Sequence, residues 1–207
     1  MRLGIGWQKE SELGGAEWAD IVLQADRLSA RGTAIGRTPI PYRLDYELET
    51  GPEFLTRRLR VRSHGSGWRR HLDLRRADDG TWTADASVVG EPIELTGSDL
   101  ADPGASAATL ADMAGALDCD LGECQVTNTM PVLRRGLLRP SEPVDFVMAW
   151  VSVPDLAVHR SDQRYTHVDA TDGGGAVIRY ESGRFRADVV FDADGLVVDY
   201  PGLGRRL

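Results

Sequence analysis

The alternation that specifies this fold runs through Tyr42-Arg43-Leu44-Asp45-Tyr46-Glu47-Leu48-Glu49. Every even-numbered residue in this segment is apolar or aromatic, and every odd-numbered residue is charged. Because successive side chains of a β-strand point to opposite faces, the pattern predicts a strand with one buried face. The segments 54–63 and 68–76 are similar, and His64-Gly65-Ser66-Gly67 separates them as a turn. We therefore expect an antiparallel meander in the first half of the chain.

Further strand-like segments extend this pattern towards both ends of the sequence. They are 19–28, 29–36, 81–83, 144–153, 156–168, 176–181, 185–191 and 196–200. Turn sequences such as Asp192-Ala193-Asp194-Gly195 lie between them. About ten strands or more predict a mainly β fold with a single large curved antiparallel sheet, which must curl into a barrel or roll to hide its edges.

Two segments have helical character. The alanine-rich segment 106–117 carries apolar residues spaced three and four apart, namely Leu110, Met113 and Leu117. A short helix is predicted around 130–135, with Pro131 at an early position where its missing N–H costs nothing. Three residues are candidate N-caps of this second helix: Thr127, Asn128 and Thr129.

Length and charge restrict the class of protein. The chain has 207 residues, which fits a single domain over 1–207. Its formal net charge is −8, so the basic surface typical of nucleic-acid-binding proteins is not expected. The sequence contains no run of 18 apolar residues, which a membrane-spanning helix would need, and its first residues do not resemble a secretory signal. We therefore expect a cytoplasmic protein.

Arginine supplies nearly all of the basic residues, and the chain has only two cysteines. The chain has 24 lysines and arginines, and Lys9 is the only lysine. A GC-rich genome explains most of this excess of arginine, although a guanidinium group also suits planar pairing with carboxylates and phosphates. Cys119 and Cys124 are interpreted as ordinary small residues of a reducing compartment.

The sequence contains no P-loop motif G-x-x-x-x-G-K-[ST] and no nucleophile-elbow motif G-x-S-x-G. The four histidines lack metal-ligand spacing, and Gly4-Ile5-Gly6 lacks the third glycine of a dinucleotide fingerprint. We expect neither a metal nor a cofactor, and we assign no catalytic residue. Asp118, Asp120 and Glu123 form an acidic cluster around the two cysteines. Asp118 and Asp120 could perform acid–base chemistry from one strand face, but we favour a solvated acidic face for the cluster.

Two segments are more particular than generic strands. One is 127–137, which begins Thr127-Asn128-Thr129-Met130-Pro131. The other runs from 153 through Gln163-Arg164-Tyr165-Thr166 to 203, and it ends in Asp199-Tyr200-Pro201-Gly202-Leu203. With the earlier segment Pro41-Tyr42-Arg43-Leu44-Asp45-Tyr46, their order and spacing resemble the bacterial "putative glycolipid-binding" family, formerly a domain of unknown function. The resemblance covers nearly the whole chain, and 99–116 looks like a helical insertion into it.

This resemblance implies a spiral β-roll, similar to the half-open barrels of lipoprotein carriers and of mycobacterial glycolipid-carrier lipoproteins. It also implies a binding protein for a glycolipid, a lipid or another small amphipathic molecule in the concave face of the roll. Eight residues are candidate walls of that face, or simply core: Leu44, Tyr46, Leu48, Leu59, Val61, Phe146, Met148 and Trp150.

Seven residues are the candidate ligand-binding set: Asn128, Arg134, Arg135, Gln163, Tyr165, Tyr46 and Trp150. Arg134 and Arg135 suit a phosphate or carboxylate headgroup, or they cap the C-terminus of the short helix. Two alternatives stay open. One is a hydrolase or isomerase with a polar pocket near Asp199 and Tyr165, and the other is a structural or partner-binding protein. The sequence does not indicate an oligomeric state.

Overall fold

Fourteen strands form one sheet across residues 1–10, 12, 14–91 and 100–207, which are the part of the chain that the computed structural model describes. The first seven are β1 (Arg2–Lys9), β2 (Gly15–Leu23), β3 (Leu28–Gly36), β4 (Tyr42–Thr50), β5 (Thr56–Gly65), β6 (Trp68–Arg76) and β7 (Trp82–Val89). The others are β8 (Asp118–Leu121), β9 (Val144–Val151), β10 (Val158–Ala170), β11 (Ala176–Ser182), β12 (Phe185–Phe191), β13 (Val197–Tyr200) and β14 (Gly204–Arg206).

The strand order is β7-β6-β5-β4-β3-β2-β1-β14-β13-β12-β11-β10-β9-β8, and the sheet does not close into a barrel. All neighbours are antiparallel except β8 and β9. The chain between these two strands passes through a helical crossover, which returns it in the same direction and makes the pair parallel. The prediction of one large curved, mainly β sheet is confirmed, with this single parallel edge as a difference.

The alternation in 42–49 gives β4 its two faces. Leu44 and Leu48 are fully buried, and Leu48 lies opposite Leu59 of β5. On the other face, Glu47 forms an ion pair with Arg60 of the neighbouring strand. The period of two in the sequence therefore specifies both the core face and the charged outer face.

Arginines on the outer faces use both arms of the guanidinium group. Arg58 Nε lies 2.8 Å from Asp73 Oδ1 and its Nη2 lies 2.6 Å from Oδ2. Arg179 makes the same two-pronged contact with Asp188, at 2.8 and 2.9 Å. Part of the arginine excess therefore serves planar pairing with carboxylates across strands.

The sequence patterns do not predict two of the strands, β1 and β14, and these two strands join the halves of the sheet. Trp7 of β1 lies opposite Arg206 of β14, so the two ends of the chain pair. Gly4 and Gly6 weaken the strand signal of β1, but a Cβ on Gly4 would come within 2.7 Å of the Trp18 ring. The glycines make room for an indole that lies across them on the outer surface.

The connection between β7 and β9 fills the inside of the roll. It carries α1 (Ala107–Asp112), β8, a 3-10 turn (Val126–Asn128) and α2 (Thr129–Arg135). Met113 and Met130 from this connection belong to the same buried cluster as Leu44 of β4. Helix α1 is shorter than the predicted 106–117 because the chain turns after Met113, with Gly115 at a φ of 90°. Helix α2 confirms the predicted position and ends at Gly136, with a φ of 63°.

The predicted insertion 99–116 bridges the two ends of the sheet; its first position lies outside the described residues. Arg70 of β6 donates to the carbonyl oxygen of Ala101 in this segment, and also to that of Asp155 at 3.1 Å. Gly104 donates its N–H to the carbonyl of Leu156 at 2.8 Å. The segment therefore covers the gap between the two sides of the open sheet, which we call the seam of the roll.

The candidate wall residues fill a core. Seven of the eight are buried, and only Trp150 is half-buried. They divide between two buried clusters, one centred on β4 and β5 and the other on β9 to β12. Of the two interpretations that the sequence left open, close packing describes these seven residues.

Candidate functional site

A surface cleft of about 500 Å³ opens beside the turn that follows β8. Strands β8 to β13, the turn at 122–124 and the residue before α2 supply its walls. Its aromatic residues are Trp150, Tyr180, Phe185 and Tyr200. Its polar residues include Asp120, Glu123, Asn128, His159, Arg160 and Ser161. Apolar walls with a few converging polar groups are typical of small-molecule sites, and the volume lies in their usual range.

Aromatic rings form one wall of the cleft. The Tyr180 ring centroid lies 5.9 Å from those of Phe185 and Tyr200. Tyr200 is only 5% exposed, yet its hydroxyl has no hydrogen-bond partner among the described residues. Burial raises the pKa of Tyr200, so its hydroxyl stays a neutral donor. Phe185 is 47% exposed and lies at the rim. The wall therefore combines ring faces with one uncommitted hydroxyl.

Asp120 connects the cleft to the buried network behind it. Its Oδ1 accepts a hydrogen bond from Thr127 Oγ1 at 3.1 Å, and its Oδ2 accepts one from Gln163 Nε2 at 2.8 Å. Tyr165 Oη donates to Asn128 Oδ1 at 3.2 Å and lies 3.4 Å from Gln163 Oε1. Burial raises the pKa of Asp120, since desolvation outweighs these two donors.

Of the predicted set, Asn128 and Trp150 line the cleft, and Gln163 and Tyr165 lie behind its wall. Asn128 occupies the N-cap of α2 without a capping side-chain bond, because its carboxamide is used by Tyr165 instead. Since Asn128 and Gln163 are 35 positions apart in sequence, only the fold brings them together.

Arg134 is bound inside the protein. Its Nη1 lies 2.6 Å from Asp118 Oδ1, and its Nη2 donates to Asp118 Oδ2. The two side chains are 5% and 1% exposed. The favoured interpretation of Asp118 and Asp120 as a solvated face is therefore wrong, because Asp118 anchors α2 and Asp120 is hydrogen-bonded on both oxygens. Arg135, the next residue, is exposed.

Tyr46 and Asp199 lie away from the cleft. Tyr46 Oη donates to Glu17 Oε1 at 2.6 Å inside the core, and the backbone N–H of Gln125 donates to Glu17 Oε2 at 2.8 Å. Asp199 pairs with Arg205 at 3.2 Å, whereas Tyr165 contacts the network behind the cleft. The residues named for an enzymatic pocket, Asp199 and Tyr165, therefore have separate partners.

Sequence reasoning missed the most unusual group of the cleft. Lys9 Nζ donates to Glu123 Oε2 at 3.0 Å and to Tyr42 Oη at 2.7 Å. Tyr42 Oη in turn donates to the same Glu123 oxygen at 2.6 Å. The Lys9 side chain is 0% exposed, and that of Glu123 is 20% exposed. The only lysine in an arginine-rich chain was the available signal.

Within the described ranges, no group of three or more histidine, cysteine, aspartate or glutamate side chains is arranged to hold a metal ion. Neither α1 nor α2, nor any other described helix, has the length and apolar character needed to cross a membrane.

Comparisons with known proteins identify the family. No curated protein matches the chain. A DUF1089 family protein from Pseudomonas aeruginosa, known from a crystal structure, is 26% identical, and the match covers 92% of each chain with a TM-score of 0.66. The profile of the family described as "putative glycolipid-binding" matches residues 5–206. The chain therefore belongs to this family.

Proposed function

We propose that this protein binds the sugar-bearing end of a glycolipid, or of a similar amphipathic molecule, in the cleft beside β8. The observation that carries the proposal is the combination, within one cleft, of aromatic rings and polar groups that converge from different strands. The family description is consistent with a binding role.

The chemistry of a sugar ring suits these walls. One face of a hexose presents C–H groups, which pack against the electron-rich face of an aromatic ring such as that of the half-buried Trp150. Its hydroxyls both donate and accept hydrogen bonds. The Tyr200 hydroxyl can donate to them, and the carboxylates of Asp120 and Glu123 can accept from them.

The acyl chain of such a ligand would lie outside the core of the protein. Because Leu44, Leu48 and Leu59 pack within the core, we do not place an acyl chain beside them. Phe185 at the rim and the half-buried Leu203 are the apolar groups that the start of a chain would contact on leaving the cleft. The ligand would thus be held by its headgroup.

Titration calorimetry with neutral octyl hexosides (glucoside, galactoside and mannoside), below their micelle concentrations, tests the proposal. We expect at least one of them to bind, and tetraethylene glycol mono-octyl ether, which has the same tail without a sugar, to bind much more weakly. Trp150→Ala should weaken hexoside binding by about tenfold, as expected for the loss of an aromatic contact of 1–1.5 kcal/mol.

Trp18→Ala is the matched control, because Trp18 is half exposed on the outer face and does not line the cleft. Its affinity should equal that of the wild type. Equal binding of the sugar-free ether and the hexosides, or an unchanged affinity in Trp150→Ala, would contradict the proposed site.

We also propose a cytoplasmic location, supported by the two buried free thiols of Cys119 and Cys124. Fractionation of cells that express the natural gene tests it, and recovery from the envelope fraction would contradict it.

A further inference from the structure

Glu123 presents an unusual carboxylate to the cleft. Both of its protein donors, Lys9 Nζ and Tyr42 Oη, converge on Oε2. Its Oε1 has no hydrogen bond within the described residues. The buried ammonium group balances the charge of the carboxylate, while the second oxygen remains able to accept a hydrogen bond from a ligand.

The backbone at Glu123 is held in a costly conformation. Its φ is 58°, in the left-handed region that non-glycine residues rarely adopt. The neighbouring Gly122, which could adopt this conformation without strain, does not have a positive φ. Such strain persists where surrounding contacts determine the conformation, and it is often found at binding sites. Here the contacts with Lys9 and Tyr42 fix the side chain at the cleft wall.

The cationic groups near the cleft are already engaged. Arg134 is bound by Asp118, and Arg160 lies 2.7 Å from Asp162. Lys9 is covered by Glu123 and Tyr42. The lining therefore offers a phosphate, sulfate or carboxylate headgroup two carboxylates, from Asp120 and Glu123, and the guanidinium group of Arg160, which would first have to leave Asp162.

We infer that the cleft selects an uncharged, hydroxyl-bearing sugar, and that Glu123 makes this selection by accepting a hydrogen bond from a hydroxyl group. The inference rests on the proposed function. A carboxylate accepts hydrogen bonds and donates none, so it favours hydroxyl donors and repels an anionic group placed against it. This assignment differs from the anionic headgroup that Arg134 and Arg135 suggested in the sequence.

The test compares two octyl glycosides that differ in one group. At pH 7, titration calorimetry measures binding of the tightest neutral octyl hexoside and of the matching octyl hexuronide, whose C6 carboxylate is ionised. Wild-type protein should prefer the neutral hexoside by about tenfold or more, the factor expected for one charge-assisted hydrogen bond. Glu123→Gln should lose about tenfold in affinity for the hexoside and most of the preference.

Glu49→Gln is the control for a change of charge, because Glu49 is exposed on the outer strand face. It should keep the wild-type preference. Since Glu123→Gln leaves Lys9 buried without its carboxylate, the double variant Lys9→Met/Glu123→Gln provides a second test, in which both partners are removed and the fold is checked by thermal melting. It should lose the preference in the same way.

The outcomes separate the two proposals. Wild-type protein that binds neither glycoside overturns the proposed function. Wild-type protein that binds both equally, or prefers the hexuronide, overturns this inference and leaves sugar binding in place. Retention of the full preference in a folded Glu123→Gln or double variant also overturns the role of Glu123.

Discussion

Glu17 is a buried acid on β2, and burial raises its pKa from 4.5 to about 7 despite the two hydrogen bonds that it accepts. The folded chain therefore keeps this proton at pH values where the unfolded chain has released it. The free energy of unfolding therefore falls by up to about 3 kcal/mol as the pH rises from about 4.5 to 7. We expect Glu17→Gln to reduce this loss.

Urea denaturation at pH 5 and pH 7.5 measures the effect, because the other ionisable groups are common to both proteins. Asp20→Asn, an exposed change on the same strand, should follow the wild-type dependence. Parallel stability curves for wild type and Glu17→Gln would show that Glu17 titrates normally.

At this scale the sequence predicts some side chains and misleads about others. Alternation alone places Leu44 inside and Glu47 outside, as observed. In β2 the same rule puts Glu17 inside and Trp18 outside, against the hydrophobicity of both residues. The reason is register: Glu17 lies in phase with Ala19 and Ile21, and the strand cannot reverse one residue alone.

Helix α2 is attached to β8 by the buried pair of Arg134 and Asp118. Removing one member of such a pair leaves an uncompensated buried charge, so Arg134→Met should destabilise the fold by about 3–5 kcal/mol. The double variant Arg134→Met/Asp118→Asn should cost clearly less. Urea denaturation gives the free energies of unfolding.

The neighbouring Arg135 provides the control, since Arg135→Met removes an exposed guanidinium and should change stability by less than about 0.5 kcal/mol. A similar small effect for Arg134→Met would mean that the pair does not hold the helix. The position of α2 could be predicted from Pro131 and the following residues, but its partner could not, because Asp118 lies on a separate strand and no local pattern encodes that contact.

The seam of the roll depends on the packing of Gly104 against β7. Gly104 and Gly115 have nearly the same φ, 88° and 90°. A Cβ at Gly104 would lie 2.9 Å from that of Ala86, whereas one at Gly115 would meet nothing within 4 Å. Both alanine variants place a non-glycine residue in the left-handed region, which lowers the free energy of unfolding by about 1–2 kcal/mol. Gly104→Ala should lose more stability than Gly115→Ala, because its Cβ also meets Ala86.

Hydrogen exchange gives the local measurement. The N–H of Val158 donates to the carbonyl of Gly104 at 2.7 Å, so its exchange should accelerate in Gly104→Ala and stay unchanged in Gly115→Ala. Equal exchange of Val158 in both variants would argue against a seam held by this segment. The number of strands predicts that the sheet must curl, but only the fold reveals that the chain ends join it through β1 and β14 and that 100–116 covers the gap.

The enclosure of Lys9 has a chemical consequence for a protein that we propose to bind sugars. Reducing sugars in their open-chain form are aldehydes, and they condense with accessible amines to give Schiff bases. The only ε-amino group of this chain is fully covered and is held by Glu123 and Tyr42. The other positively charged side chains of the protein are arginines. The protein surface therefore offers no lysine amine to glycation.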